Sequence, residues 1–182
     1  MTTTAILGHP GAGKSWAVYD FLKFMMDFHG FERDPSEVRK RIGLVDYHDL
    51  GEIVIMGIYD GSKFQGTDRL SMAVSVDFVR FFSKIKDEKS DPWIIAEGDR
   101  INNMTFFKAA IENGKLERIK CDPGSYDKLL EQRKQRNHVF PQAFLKTIAT
   151  KVEKHNFDLT MDSSALATYL KTFKSTPWTP KA

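Results

Sequence analysis

Between a short β-prone opening, Thr3 to Leu7, and a helical pattern that begins at Lys14, the chain reads GHPGAGKS over Gly8 to Ser15, a complete G-x-x-x-x-G-K-S spacing. A loop of this kind can work only where a strand runs into the N-terminus of a helix, so eight residues dictate the first three elements of the fold. Glycines at 8, 11 and 13 admit positive φ angles that bring backbone N–H groups close to an anion, and the helix behind them offers its positive end to the same place. In that frame Lys14 reaches the outer phosphates of a nucleoside triphosphate and Ser15 holds Mg²⁺. His9, Pro10, Ala12 and Trp16 complete the cradle. The competing reading is a Gly-rich turn that matches by accident; the order strand, loop, amphipathic helix speaks against it. ATP and Mg²⁺ are the expected cofactors.

The rest of the chain continues the alternation. Val18, Phe21, Leu22, Met25 and Phe28 fall at helical spacing, closed by His29-Gly30. Asp34-Pro35-Ser36 reads as a helix start leading into the basic run Val38 to Arg41. Ile42 to Tyr47 and Glu52 to Tyr59 are β-like, as a hairpin or as two successive strands. Asp60 to Leu70 is a polar loop, and Met72, Val76, Val79, Phe82 and Ile85 define one helical face. Trp93 to Ala96 is a buried-looking strand, Met104 to Asn113 a helix stopped by Gly114, and Leu116 to Cys121 a strand. Helical stretches follow at Tyr126 to Arg136 and Gln142 to Lys154. A strand-like Phe157 to Met161, a loop over Asp162 to Ser164, a helix from Ala165 to Phe173 and an extended tail, TPWTPKA, end the chain. Strands alternating with helices predict an α/β fold with a mainly parallel central sheet covered on both faces, as a single domain over 1–182. Ligands of such sheets collect at the carboxyl ends of the strands.

Composition excludes several classes. With 182 residues, 41% apolar and 28% charged, the chain can bury a sizeable core. Cys121 is its only cysteine, so neither an internal disulfide nor a cysteine-built zinc site is available, which fits a reducing cytoplasm. No apolar run approaches the roughly 18 residues of a membrane span, and no secretion signal is present, so a membrane is not an expected partner. A net charge of +3 permits contact with a polyanion without demanding it.

Acidic residues after predicted strands are the candidates for chemistry. Glu97 ends WIIAE, a position suited to orienting Mg²⁺ or meeting an acceptor, although a solvated strand end reads the same way. Asp99 and Arg100 follow. Arg100 suits bidentate contact with an anionic part of the acceptor, or a plain surface ion pair. Phosphorylating a hydroxyl requires a group that takes its proton. Asp68 in Gly66-Thr67-Asp68-Arg69 is the first candidate base, with Asp60 second, and Asp68 and Arg69 border the acceptor. The competing role for Gly-Thr-Asp is to cap a helix beginning near Leu70. Arg133, Lys134 and Arg136, with Lys146 and Lys151 in the next helix, form a basic stretch that suits a lid (about 126–152) neutralising charge over phosphates; alone, it would be a solvated face.

In this order, GHPGAGKS, AEGDR, RKQR and LTMDSS, the motifs resemble the small P-loop kinases of the nucleoside monophosphate kinase clan. The resemblance implies a three-layer α/β/α P-loop kinase fold with a helical lid. It implies that Arg133 and Arg136 contact phosphates, and that Asp162 to Ala165, Ser163 among them, wall the adenine side. GIYDGSKFQGTDRLSMAV further resembles the acceptor segment of phage 5-hydroxymethyluracil DNA kinases. That implies transfer from ATP to the hydroxymethyl group of a modified thymine base in DNA, with Lys63, Arg69 and Arg100 on flanking phosphates; for Trp16 and Phe64 the sequence leaves stacking on the base and a place in the core both open. A base in a duplex must then leave the stack to react. A kinase of free nucleotides or nucleosides, and an ATP-binding switch without kinase activity, are the competing functions.

Overall fold

The computed structural model describes residues 1–31, 34–62, 65–124, 131 and 142–172. The predicted helix at Tyr126 to Arg136, with Arg133, Lys134 and Arg136, lies outside the described residues, as do Lys63, Phe64, the TPWTPKA tail and the side chain of Lys146.

The fold is α/β: a seven-stranded, mostly parallel sheet and five helices among the described residues. The strands are β1 (Thr2–Leu7), β2 (Arg39–Ile42), β3 (Val45–Leu50), β4 (Ile53–Met56), β5 (Trp93–Glu97), β6 (Lys115–Cys121) and β7 (Leu159–Met161). The helices are α1 (Lys14–His29), α2 (Phe78–Glu88), α3 (Met104–Asn113), α4 (Gln142–Glu153) and α5 (Ser163–Lys171). Sheet order is β2-β3-β4-β5-β1-β6-β7. β1 is an interior strand, parallel to β5 on one side and β6 on the other.

Alternation along the central strands sends side chains to two separate cores. Ala5, Leu7, Ile94 and Ala96 join the phenylalanines of α2 and α3 on one face. Ile6, Trp93 and Ile95 join Val18, Phe21 and Leu22 of α1 and Leu166 and Leu170 of α5 on the other. Helices on both faces are compatible with a three-layer arrangement. Phe78, Phe82 and Phe106 meet edge to face at 5.2 and 5.5 Å, the geometry aromatic quadrupoles prefer. From β1 the chain travels out to edge strand β2, returns through β3 and β4 to β5 and crosses over to β6 on the other side of β1, so its direction changes at β1, where a crevice opens outside the carboxyl ends. Among the described residues no helix is long and apolar enough to cross a membrane.

Three expectations require correction. The basic run Val38 to Arg41 is not helical: a short 3₁₀ turn, Pro35–Val38, capped by Asp34, gives way to edge strand β2. The first β-like run is not one strand: Gly43 (φ 58°) turns the chain between β2 and β3, while β3 and β4 do form the hairpin, with Gly51 (φ 77°) at its turn. Finally, Met72, Val76 and Val79 are 78%, 74% and 52% exposed, whereas α2 buries Phe78, Phe81, Phe82 and Ile85. The 3₁₀ turn Val74–Asp77 interrupts the helical phase, so a periodicity counted from Met72 points the wrong way.

Candidate active site

The loop after β1 has the conformation its glycines permit. Gly8, Gly11 and Gly13 have φ of 148°, 90° and 90°. Gly13 opens α1 without a side-chain cap, and α1 has no acidic residue in its first turn, so no carboxylate of the helix itself offsets its positive end. The loop packs too closely for larger residues. A Cβ on Gly13 would stand 2.6 Å from Ser163 Cβ at the start of α5, and one on Gly8 would run into the Cys121 carbonyl. Cys121 itself lies beneath the cradle, its Sγ donating to Ala12 O at 3.2 Å, and burial raises its pKa to about 11, so it is a thiol and not a nucleophile. Lys14 is buried and curls over the loop, Nζ donating to Gly8 O and His9 O, both at 2.9 Å.

Glu97, the last residue of β5, stands in register with Ile6 of β1 and is buried. Its Oε1 accepts from the Tyr59 hydroxyl at 3.1 Å; its Oε2 has no hydrogen-bond partner among the described residues. Burial, helped by the negative charge of Asp68, raises its pKa to about 7, while Lys14, Ser15 and Tyr59 oppose the rise. The loop Gly66-Thr67-Asp68 folds against this strand end. Thr67 donates its hydroxyl to the Glu97 carbonyl, and Asp68 Oδ1 accepts from the Asp99 N–H at 2.8 Å. A side chain at Gly66 would collide with Glu97 Oε1, and one at Gly98 would stand 2.7 Å from Thr67 Oγ1, so both glycines are steric necessities. Asp68 therefore caps no helix at Leu70; it ties its own loop to the segment just after β5.

Asp60 behaves differently. It pairs with Arg69, and its hydrogen bonds from Ser62, together with that arginine, lower its pKa to about 2. The two polar ends of the Asp60–Arg69 loop are thus occupied by each other.

A cleft of about 420 Å³ joins these parts. Gly8, Pro10 and Lys14 come from the loop, Asp68, Gly98, Asp99, Arg100 and Asn102 from the far side, and Met72, Ile148 and Val152 form an apolar wall. Asp99 Oδ1 and Arg100 Nε, like Glu97 Oε2, are buried without a partner among the described residues. Three orphaned polar atoms within four residues are costly to a fold unless a ligand satisfies them. A second cavity of the same size, beside Asp20, Phe24 and Lys171, has no such atoms, and Lys171 is paired with Asp20 at 2.5 Å.

No known protein family's model matches the chain, and no curated protein matches it. The site's chemistry rests on its own residues.

The structure brings Gly8, Pro10, Lys14, Asp68, Asp99 and Arg100 to one cleft, sets Ser163 against the loop, and buries Glu97 next to the lining residue Gly98 without making it part of the lining. It leaves Trp16 half exposed on the first turn of α1 and Asp60 outside the cleft lining. The sequence reading missed Tyr59, which is wholly buried and 38 residues from the carboxyl it touches. It also missed Ile148 and Val152, whose i, i+4 spacing on the described part of α4 was a readable sign of a buried stripe.

Proposed function

We propose that the chain is an ATP-dependent phosphotransferase with a P-loop kinase fold and a helical lid, acting on an alcohol group held in the cleft. The observation carrying this reading is Glu97, a buried carboxyl with one open oxygen at the end of the strand beside β1, influenced by Lys14 and Ser15 on one side and Asp68 on the other.

Bound ATP supplies the phosphoryl group, and Mg²⁺ offsets the charge that spreads as it moves. The protein's part is positioning and electrostatics. The loop amides and Lys14 hold the outer phosphates, Lys14 exchanging its two loop carbonyls for phosphate oxygens. Ser15 and the open Oε2 of Glu97 would hold the metal side; an orphaned buried carboxylate oxygen is the donor such an ion requires. Asp68 would take the acceptor's proton as the acceptor oxygen bonds to the γ-phosphorus and the bond from that phosphorus to the bridging oxygen of the departing ADP breaks. Arg100 meets the acceptor's anionic part, and Ile148 and Val152 exclude water. Arg133 and Arg136 are assigned to the lid by resemblance alone.

The proposed acceptor is the hydroxymethyl group of a 5-hydroxymethyluracil base in DNA, in the cytoplasm of the cell that holds that DNA. A cleft with one apolar wall and one polar wall suits a flat base that has left its stack. Incubation with labelled ATP and either hydroxymethyluracil DNA or a panel of free nucleotides tests it: label is expected in the DNA. Label only in free nucleotides would overturn the acceptor, and brisk hydrolysis without transfer would favour a switch.

A further inference from the structure

The carboxyl group of Glu97 has two oxygens in different situations. Oε2 is open; Oε1 lies between the Tyr59 hydroxyl, 3.1 Å away, and the bare α-carbon of Gly66, where a Cβ would overlap it and stand 3.2 Å from the same hydroxyl. The hydrogen bond from the Tyr59 hydroxyl, with the Gly66 backbone on the other side, fixes where Oε1 lies.

Tyr59 is fixed in turn. Its N–H donates to His48 Nε2 at 3.1 Å, and His48 Nδ1 reaches Pro35 O at 3.0 Å. Only the tautomer with its proton on Nδ1 serves both contacts, since a carbonyl can only accept and an N–H can only donate. Burial keeps that ring neutral, lowering its pKa to about 4, and the His48 and Tyr59 rings are 5.9 Å apart. A chain of contacts thus runs from the 3₁₀ turn at Pro35 through β3 to the end of β5. An ionised carboxylate only accepts, so Tyr59 can serve it only as donor.

We infer that Tyr59 is a positioning residue: it engages one oxygen of Glu97 so that the other is presented to the metal side of the bound nucleotide. This rests on the reading of Glu97 given above. A tyrosine serving only to fill the core would use its ring and not depend on its hydroxyl; here the hydroxyl's partner is a buried carboxyl whose other oxygen has no hydrogen-bond partner among the described residues.

Tyr59→Phe keeps the ring and removes only the hydroxyl. Outer-shell partners of metal-binding groups cost roughly 10- to 100-fold when removed. The expected result is a loss of that size in the part of ATP affinity that depends on Mg²⁺, measured by calorimetry with and without the ion. Affinity without Mg²⁺ should be unchanged, and in crystals of the nucleotide-free variant the Glu97 carboxyl should turn. In a Glu97→Gln background the same substitution should add little. Equal Mg²⁺ dependence in wild type and Tyr59→Phe, or a Glu97 carboxyl that keeps its orientation without the hydroxyl, would overturn the inference. Wild-type protein that binds no ATP would end the phosphotransfer reading instead, and the crystallographic comparison would still decide what Tyr59 does to Glu97.

Discussion

Glu97 ends strand β5 and Asp60 follows β4 by four residues, and each stands beside a glycine, yet the molecule treats them in opposite ways. Asp60 sits in an exposed loop with Arg69 and Ser62 as partners, and its pKa is lowered to about 2. Glu97 is buried with half of its hydrogen-bonding capacity unused, and its pKa is raised to about 7. A carboxylate already neutralised by its own loop is a weak base and has little to offer an incoming cation. One held in reserve against burial costs stability while empty and recovers it when a cation arrives. Strand-end position therefore does not identify a working carboxylate; satisfaction by neighbours does.

The contrast can be broken by substitution. The largest effect should come from Lys14→Ala, which removes the phosphate-side charge: transfer should drop by roughly 1000-fold or more with thermal stability nearly unchanged, and turnover close to wild type would remove the basis for the site. Asp68→Asn comes next, with kcat down by at least about 100-fold and the KM for ATP little altered, as steady-state kinetics would read. A change in melting temperature alone would leave Asp68 a mere tie between loop and strand.

Glu97→Gln should sharpen the comparison through stability. The ordinary value of this carboxyl is 4.5 and its folded value about 7, so between those pH values the folded protein keeps a proton that the unfolded chain has released. Stability from this group is present below 4.5 and lost as pH rises through 7. His48, lowered from 6.5 to about 4, acts in the opposite sense, losing stability as pH falls through much of the same window. The difference between wild type and variant isolates the carboxyl. Chemical denaturation should find Glu97→Gln equal to wild type near pH 4.5 and more stable at pH 8, by up to about 3 kcal/mol. The smallest effect belongs to Asp60→Asn: turnover within about 2-fold and stability within about 1 kcal/mol, because an exposed pair contributes little. A large loss of turnover there would invert the two roles.

Much of this was readable from local signals. The loop motif, Gly30 at the end of α1, the run WIIAE, and Gly114 at the end of α3 each announce themselves within a few residues, because backbone conformation there is decided by neighbours in sequence. Asp34 and Asp162 cap the elements that follow them, although α5 starts at Ser163, before the predicted Ala165. What was not readable depends on distant partners. The Arg39-Lys40-Arg41 run makes a strand because β3 pairs with it, and Asp49 engages both Lys40 and Lys89 at 2.7 Å. Tyr59 gains its meaning from Glu97 and His48, neither of which is near it in sequence. Periodicity also fails where a 3₁₀ turn shifts the phase, as it does before Phe78.

Position 66 has no room for a side chain because the Glu97 carboxyl fills the space beside it. Under the proposed phosphotransferase reading, a change at Met72 on the apolar wall could suit the cleft to a different alcohol, while position 66 would have to stay bare for the Glu97 carboxyl to keep its place.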